Sequence, residues 1–317
     1  MSKLKSKLGI YAPVYGGWLR NVTQEEEVSY RNAEAAVLKA EEIGIGSIWV
    51  PDHFLNPIKG ERAGLLEAWT TLTALAAVTK KVELFHTCIC QGFRYPAILA
   101  KMCATLSDIS NGRFQLSLGA GWFKREFEAY GVPWHEHDDR IDRSREQLEI
   151  MKGLWTEETF TYKGKYYEIT NGILEPKPKK KIPIWWAGES EKSRELTADV
   201  ADGWLIRGST MEKLRDKIAD MRKRIGEKGR SQIQYAVTGQ FLIADTDKKA
   251  QEKLETILQG EKNVAKTTTE TGFIGSPETV SEKINNISKL GVDYIILLAA
   301  PTIDALNIMS KKLLPIL

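Results

Sequence analysis

The fold is decided by a strand–helix–strand unit in the second half of the chain, which has the sequence IPIWWAGESEKSRELTADVADGWLIRGS (Ile182–Ser209). Its two ends, Ile182–Ala187 and Trp204–Ile206, are short apolar runs of the kind that forms buried strands. The segment between them, Glu191–Val200, is predicted to be a helix that begins directly after a glycine-containing turn. Because a helical connection is long enough to return the chain to the same end of a sheet, the two strands are expected to run parallel.

The same alternation of short apolar runs and helical segments extends over the whole chain. The predicted strands are Leu8–Pro13, Ser47–Val50, Val82–Cys90, Arg113–Leu118, Ile182–Ala187, Trp204–Ile206, Gln234–Ile243 and Asp293–Leu298. The predicted helices are Glu25–Glu42, Leu65–Val78, Pro96–Ile109, Asp139–Trp155, Glu191–Val200, Met211–Lys228, Pro277–Leu290 and Ile303–Leu314. Eight strands, each followed by a helix, predict a (β/α)8 barrel, also called a TIM barrel, with a doubly wound open sheet as the alternative.

The length of 317 residues is compatible with two average domains or with one barrel. The strand count favours a single domain over residues 1–317 with two insertions.

The first insertion, Thr159–Lys181, has aromatic residues on both sides of a Lys-Gly pair, which predicts a β-hairpin. Lys249–Gly272 is polar, with a first part that could be helical and an irregular remainder, as in a functional lid or a disordered segment.

Composition excludes several classes of protein. Apolar residues make up 42% and charged residues 27% of the chain, as in folded globular proteins. The net charge is +3, from 45 Lys and Arg against 42 Asp and Glu, without the basic stripe typical of nucleic-acid-binding proteins. The apolar runs are shorter than the ~20 residues that span a bilayer, and no secretory signal follows the N-terminal lysines. Three cysteines without a zinc-binding pattern predict reduced thiols, a cytoplasmic location and no metal site. From the charge and the short apolar runs, we expect neither nucleic-acid nor membrane partners.

The candidate site is expected at the C-terminal ends of the predicted strands, where barrel enzymes place their active sites. The residues there include Tyr15 and Trp18 after the first strand, His53 after the second and Trp122 after the fourth. Aromatic rings next to glycines favour a flat heteroaromatic ligand over a sugar. His53 is the best-placed titratable group for a role in the pocket, with a structural hydrogen bond as the alternative.

A phosphate could be held where Gly188, Glu189 and Ser190 lead into a helix, because free N–H groups and the positive end of the helix dipole lie there. Arg207 follows the next strand and could add a positive charge. An ordinary helix cap is the alternative interpretation of the same residues.

Several of these segments together resemble the bacterial luciferase-like family of flavin- and deazaflavin-dependent oxidoreductases, over essentially the whole chain. The matching motifs are Ser110-Asn111-Gly112-Arg113, Gly119-Ala120-Gly121-Trp122 with Glu126 and Tyr130-Gly131-Val132, His137-Asp138-Asp139-Arg140, Gly164-Lys165-Tyr166-Tyr167, Trp186-Ala187-Gly188-Glu189-Ser190 and Ala201-Asp202-Gly203-Trp204. Each motif is loose, and their order and spacing carry the resemblance. The family implies a (β/α)8 barrel with insertions. Within it, the chain is most similar to the dimethylsulfone and alkanesulfonate monooxygenase branch.

The resemblance implies a two-component monooxygenase that receives reduced FMN from a separate flavin reductase and uses O₂ on a small organosulfur substrate. It also implies a homo-oligomer, either a dimer or a tetramer. Trp18, His53, Trp122 and Gln240 are then expected to line the flavin and substrate pocket. Either His53 or Tyr15 would donate a hydrogen bond to the reacting oxygen. The phosphate end would be formed by Gly188, Glu189 and Ser190, with Arg207 or Arg140.

Two features leave the cofactor and the catalytic groups open. Thr238 and Gln240 match the Arg and His positions of the alkanesulfonate branch, and Leu65 matches a Cys, so another group has to take their roles or the substrate differs. Trp49–Phe54 and Gly119–Trp122 resemble members that use the deazaflavin F420, which transfers hydride without activating O₂. An F420-dependent oxidoreductase and a non-catalytic flavin-binding relative are therefore the alternatives.

Overall fold

The computed structural model of the chain describes residues 4–17 and 26–317. Its strands are β1 (Lys7–Tyr11), β2 (Ser47–Val50), β3 (Glu83–His86), β4 (Ile89–Cys90), β5 (Phe114–Gly119), β6 (Phe160–Lys163), β7 (Glu168–Gly172), β8 (Ile184–Ala187), β9 (Gly203–Ile206), β10 (Gln234–Ile243), β11 (Phe273–Gly275) and β12 (Tyr294–Leu298). Parallel pairing runs in the order β1, β2, β3, β5, β8, β9, β10 and β12. Because β12 also pairs with β1, the sheet closes. The predicted barrel is confirmed, and the open sheet is wrong.

The helices follow the strands as predicted for a (β/α)8 barrel. They are α1 (Tyr30–Glu42), α2 (Ala68–Val78), α3 (Pro96–Ile109), α4 (Lys124–Ala129), α5 (His137–Thr156), α6 (Glu191–Val200), α7 (Met211–Glu227), α8 (Asp247–Ile257), α9 (Lys262–Thr271), α10 (Pro277–Lys289) and α11 (Thr302–Ile308). Within residues 4–17 and 26–317, no helix is both long and apolar enough to pass through a bilayer.

The interior of the barrel is filled by a cluster of aromatic side chains. Trp49 stacks on Phe85 with 3.8 Å between ring centroids, and Trp185 meets both of them edge-on. The Trp185 indole N–H donates a 2.8 Å hydrogen bond to Gln115 Oε1, so the polar atoms within the cluster are paired. Since Trp49, Phe85, Trp185 and Tyr294 are fully buried, the barrel has no open channel here, and a ligand has to bind above them at the C-terminal ends of the strands.

The neighbouring residues Trp185 and Trp186 point to opposite sides of β8, as expected for a strand. Trp185 belongs to the interior cluster, whereas Trp186 packs with Trp204 in the layer between the barrel and the helices. A methyl group at Gly203 would lie 2.3 Å from the Trp185 ring, so β9 can pass this indole only without a side chain. His86 is also fully buried in the outer layer, stacked on Trp69 at 5.0 Å, and is therefore a core residue.

The first insertion folds back on the barrel as the antiparallel pair β6 and β7. Its turn is anchored to α5, because the Glu146 carboxylate accepts the backbone N–H groups of Lys165, Tyr166 and Tyr167 at 2.7–3.2 Å. The Tyr167 hydroxyl accepts a 2.8 Å hydrogen bond from the side-chain amide of Gln91, which follows β4. The hairpin therefore contacts the loop after the third barrel strand.

The second insertion is helical over most of its length, and the expectation that its second part is irregular is wrong. Helices α8 and α9 span most of it. Threonines are weak helix formers, but here the hydroxyls of Thr269 and Thr271 donate to the carbonyls four residues earlier, at 3.0 and 2.8 Å. Ala265 and Thr268 are buried, so tertiary packing outweighs the local preference of the sequence.

Candidate active site

Three rim loops bring Tyr15, His53 and Trp122 together at the C-terminal end of the barrel. The His53 ring lies 6.3 Å from the Tyr15 ring and 5.6 Å from the Trp122 ring, which meets it edge-on. Trp122 is 61% exposed, whereas the other two are half-buried. Burial raises the pKa of Tyr15 well above its usual range, so its hydroxyl remains a donor at neutral pH. Trp18, predicted to lie beside these residues, falls outside the described residues.

The floor of this region is formed by Tyr11, the last residue of β1. Burial raises the pKa of its hydroxyl to about 12, although the neighbouring Thr238 side chain and the positive charge of Arg207 act in the opposite direction. Thr238 is the residue that the sequence analysis matches to an Arg of the alkanesulfonate branch, and this match stays a prediction.

His53 is held by a carboxylate from another rim loop. Its Nδ1 lies 2.9 Å from Glu126 Oε1, and Glu126 Oε2 accepts the backbone N–H of Phe54 at 3.0 Å. The Glu126 side chain is only 2% exposed and that of His53 is 12% exposed. This contact joins the loop after β2 to helix α4, which follows β5.

A second buried carboxylate, Asp52, secures the loops after β2 and β3. Its two oxygens accept hydrogen bonds from Arg94 at 2.7 and 3.0 Å, and one of them also accepts the backbone N–H of Cys90 at 2.9 Å. Arg94 bonds Glu67 at 2.7 Å as well. This triad sets the rim position of His53, the residue that follows Asp52 in the chain.

The predicted phosphate site lies at the start of α6. Ser190 is its N-cap, and the side-chain oxygen accepts the backbone N–H of Ser193 at 3.3 Å. The Glu189 carboxylate is neutralised by Lys217 at 2.6 Å and accepts the backbone N–H of Arg207 at 3.1 Å. These contacts bring Arg207 and α6 together, as expected for neighbouring strands of the barrel.

One buried donor at this helix start has no partner. The indole nitrogen of Trp186 is buried and makes no hydrogen bond to any described residue. A methyl group added to Gly188 would lie 3.1 Å from this nitrogen and 2.5 Å from Ser193 Oγ. The space over Gly188 is thus small and lined by an indole N–H and a hydroxyl, both of which can donate to an anion.

Arg140 lies under the loop after β5. Its guanidinium stacks on Trp134, 3.9 Å from the ring centroid, and donates to the carbonyl groups of Ala120 (3.2 Å), Gly121 (3.4 Å) and His135. These contacts hold the loop after β5 in place. Binding of a phosphate by Arg140 stays a prediction.

Gln240 lies on β10 beneath the end of α9. A methyl group at Gly272 would lie 2.8 Å from the Gln240 carbonyl oxygen, and one at Gly208 would lie 3.1 Å from the carbonyl oxygen of Thr271. Such close backbone contacts place α9 directly against the ends of β9 and β10. The second insertion therefore packs beside the rim at the positions of Gln240 and Arg207.

The barrel, with its site at the strand ends, defines a (β/α)8 enzyme. The chain belongs to the luciferase-like monooxygenase family, whose model matches residues 16–272. It is 30% identical over 265 residues to the FMNH₂-dependent dimethylsulfone monooxygenase of Pseudomonas putida, covering 73% of this chain and 72% of that protein. The resemblance to this family inferred from the motifs is confirmed, and the protein is an oxidoreductase of the luciferase-like family.

Other relatives use a different cofactor. The F420-dependent glucose-6-phosphate dehydrogenase of Amycolatopsis mediterranei (strain U-32) is 32% identical over 195 residues, covering 61% of this chain and 58% of that protein. An F420-dependent secondary alcohol dehydrogenase has the same fold, with a TM-score of 0.81 over 98% of this chain and 99% of that one at 22% identity. The named relatives thus use FMNH₂ or F420.

Proposed function

We propose that this protein is a two-component monooxygenase that uses reduced FMN, supplied by a separate flavin reductase, to oxidise a small sulfone or sulfonate with O₂. The proposal is supported by the similarity to the dimethylsulfone monooxygenase of Pseudomonas putida, which covers 73% of this chain and 72% of that protein. The structural observation that carries it is the unpartnered Trp186 N–H over Gly188 at the start of α6.

The residues at the α6 N-terminus fit a phosphate. The first N–H groups of a helix lack partners within the helix, and the helix dipole favours an anion there. Trp186 Nε1 and the Ser193 hydroxyl border the space left by Gly188, and the backbone N–H of Arg207 donates to the carboxylate of Glu189, the residue after Gly188. Because Glu189 is paired with Lys217, its charge does not repel the anion strongly.

The remaining residues would orient the ring system and the substrate. Reduced FMN, when bound, supplies the electrons with which O₂ is activated. Tyr15 can donate a hydrogen bond from a hydroxyl that stays protonated, and Tyr11 does the same at the floor of the pocket. Trp122 and Phe123, which stack at 5.4 Å beside His53, would keep water away from the reacting atoms.

Turnover in the presence and absence of O₂ tests this function. With chemically reduced FMN and a panel of small sulfones and alkanesulfonates, we expect substrate loss only when O₂ is present, measured together with O₂ consumption. Product formed from the same panel without O₂ would contradict a monooxygenase.

The second candidate is hydride transfer with F420, which is favoured by the F420-dependent relatives. It predicts that F420 is reduced by an alcohol, or its reduced form oxidised by an acceptor, under nitrogen. Absorbance of F420 in an anaerobic cuvette measures this reaction, and its presence would favour the second candidate over the first.

Gly188→Ala is expected to weaken FMN about 10–100-fold and riboflavin by less than about threefold. The added methyl group would lie 2.5 Å from Ser193 Oγ and close the phosphate space, which removes about 1.5–3 kcal/mol of charge-assisted hydrogen bonding. Fluorescence titration with both ligands measures the difference. Gly226→Ala is the matched control, because a methyl group there has nothing within 4 Å. Equal losses for FMN and riboflavin would argue against a phosphate at this helix.

A further inference from the structure

Arg207, the residue that follows β9, is directed into the mouth of the barrel. Side chains alternate along a strand, and β9 places Leu205 in the interior cluster and Ile206 in the outer layer. Gly208 faces outward as well, since a methyl group there would lie 3.1 Å from the carbonyl oxygen of Thr271 at the end of α9. Arg207 lies between these two outward-facing positions, so its side chain is on the interior face.

Two hydroxyl groups lie close to Arg207 on this face. The parallel pairing of β9 with β10 ends at Val237, so Thr238 follows beside Arg207. The Thr238 side chain and the positive charge of Arg207 both act to lower the pKa of Tyr11, so the three groups are near one another. Because burial outweighs these effects and raises that pKa to about 12, the Tyr11 hydroxyl remains a donor at neutral pH.

A third hydroxyl, that of Thr87, is buried and unused. Thr87 directly follows β3, two residues after Phe85 of the interior cluster. Its oxygen makes no hydrogen bond to any described residue, although the side chain lies close enough to Tyr11 to act on its pKa. The polar groups above the aromatic cluster therefore include at least one buried donor that is free for a ligand.

The guanidinium of Arg207 has no counter-charge among the described residues. The neighbouring carboxylate of Glu189 lies 2.6 Å from Lys217 and accepts the backbone N–H of Arg207, not its side chain. Arg94, on another rim loop, is in contrast paired with two carboxylates. An exposed guanidinium next to hydroxyl donors attracts an anion and can give it several hydrogen bonds.

This position is separate from the space over Gly188. Trp186, whose N–H borders that space, belongs to the outer layer of the barrel. Arg207 is on the inner face, so an anion at the start of α6 and an anion bound by Arg207 lie on opposite sides of the barrel wall. The inner position opens to the mouth of the barrel, where a substrate has to bind.

We propose that Arg207, together with Tyr11 and Thr238, binds the sulfonate group of an alkanesulfonate, so that the substrate is this anion and not a neutral sulfone. The substrate class rests on the proposed function, whereas the anion site can be tested without turnover. A sulfonate spreads a full negative charge over three oxygens, and the guanidinium and the hydroxyls can all donate to them. A sulfone has two oxygens and no net charge, so it gains less from a cation. Arg207 then serves the substrate instead of the flavin phosphate.

Isothermal titration with methanesulfonate and dimethyl sulfone measures the preference for charge, because the two differ only by an O⁻ in place of a methyl group. We expect the wild type, either free of FMN or saturated with it, to bind methanesulfonate at least about tenfold more tightly. Arg207→Gln should weaken methanesulfonate about 10–100-fold and dimethyl sulfone less than about threefold. Arg207→Lys keeps the charge without the planar fork and should lie between. Equal affinities in the wild type, or no methanesulfonate binding in either state, would overturn the proposal.

Arg31→Gln is the matched control, because it removes the same charge from a side chain on α1 that is 90% exposed. It should leave both affinities unchanged. Tyr11→Phe and Thr238→Val each remove one hydroxyl with little change of shape, and each should weaken methanesulfonate about 3–10-fold. Unchanged affinity in both hydroxyl variants would contradict a site formed by these residues.

Titration of Arg207→Gln with FMN and riboflavin separates the substrate from the phosphate. We expect FMN affinity to change less than about threefold, whereas a loss of about 10–100-fold for FMN alone would assign Arg207 to the phosphate and overturn the proposal. Methanesulfonate that binds through Arg207 but is not oxidised with reduced FMN and O₂ would contradict the proposed function and support the site. Oxidation with the same KM in the wild type and Arg207→Gln would contradict the site and support the function.

Discussion

Asp52→Asn is expected to lower the free energy of unfolding by about 3–5 kcal/mol, the usual cost of removing one partner of a buried ion pair. The Asp52 side chain is fully buried and that of Arg94 is 9% exposed. Burial disfavours the charge of Arg94, but Asp52 and Glu67 outweigh this effect and raise the pKa of the guanidinium. Asn would leave that charge in the protein interior with Glu67 alone, which is 38% exposed.

The measurement is guanidinium chloride unfolding at pH 7, with the midpoint and the slope compared between variants. Asp108→Asn is the matched control, because Asp108 is 56% exposed and pairs with Lys179, which is 82% exposed. Exposed pairs contribute about 0–1 kcal/mol, so this variant should unfold close to the wild-type midpoint. If Asp52→Asn lowers the free energy of unfolding no more than Asp108→Asn does, the triad of Asp52, Arg94 and Glu67 does not secure the rim.

The barrel itself could be predicted from the sequence because its strands are buried on both faces. Such strands are continuous apolar runs that local pattern can detect, as at Ile184–Ala187 and Tyr294–Leu298. The predicted strand Val82–Cys90 is divided into β3 and β4 in the structure. At the end of β4 the Cys90 N–H donates to Asp52, 38 residues earlier in the chain, and no local pattern reports such a contact.

The candidate site was predictable in position and not in its contacts. The order of the strands is enough to place His53 at the rim, because this residue closely follows the second strand. Its partner Glu126 lies 73 residues later, within a short helix, KREFEA, of which four residues are charged. Such a segment has the composition of a solvent-facing helix, so nothing local indicates that Glu126 is 1% exposed. The unpartnered N–H of Trp186 is likewise visible only once the layer around it has formed.

Trp185→Ala is expected to have a still larger effect on stability. Removing a buried Trp costs about 3–5 kcal/mol through lost burial and the cavity that remains. The Gln115 carbonyl oxygen also loses its indole donor, which adds about 1–3 kcal/mol because the group stays buried. The neighbouring rings of Trp49, Phe85 and Tyr294 pack edge-on against the indole from strands on several sides of the barrel, so they cannot all move in to fill the space.

Chemical unfolding of Trp185→Ala is best compared with Trp122→Ala, which deletes the same side chain from a position that is 61% exposed and should cost less than about 1 kcal/mol. Trp185→Phe keeps most of the ring and removes the donor to Gln115, and we expect an intermediate loss. It also serves as the test should Trp185→Ala fail to fold. A Trp185→Phe variant as stable as the wild type would show that the Gln115 hydrogen bond does not stabilise the barrel interior, because the indole N–H is the group that this substitution removes.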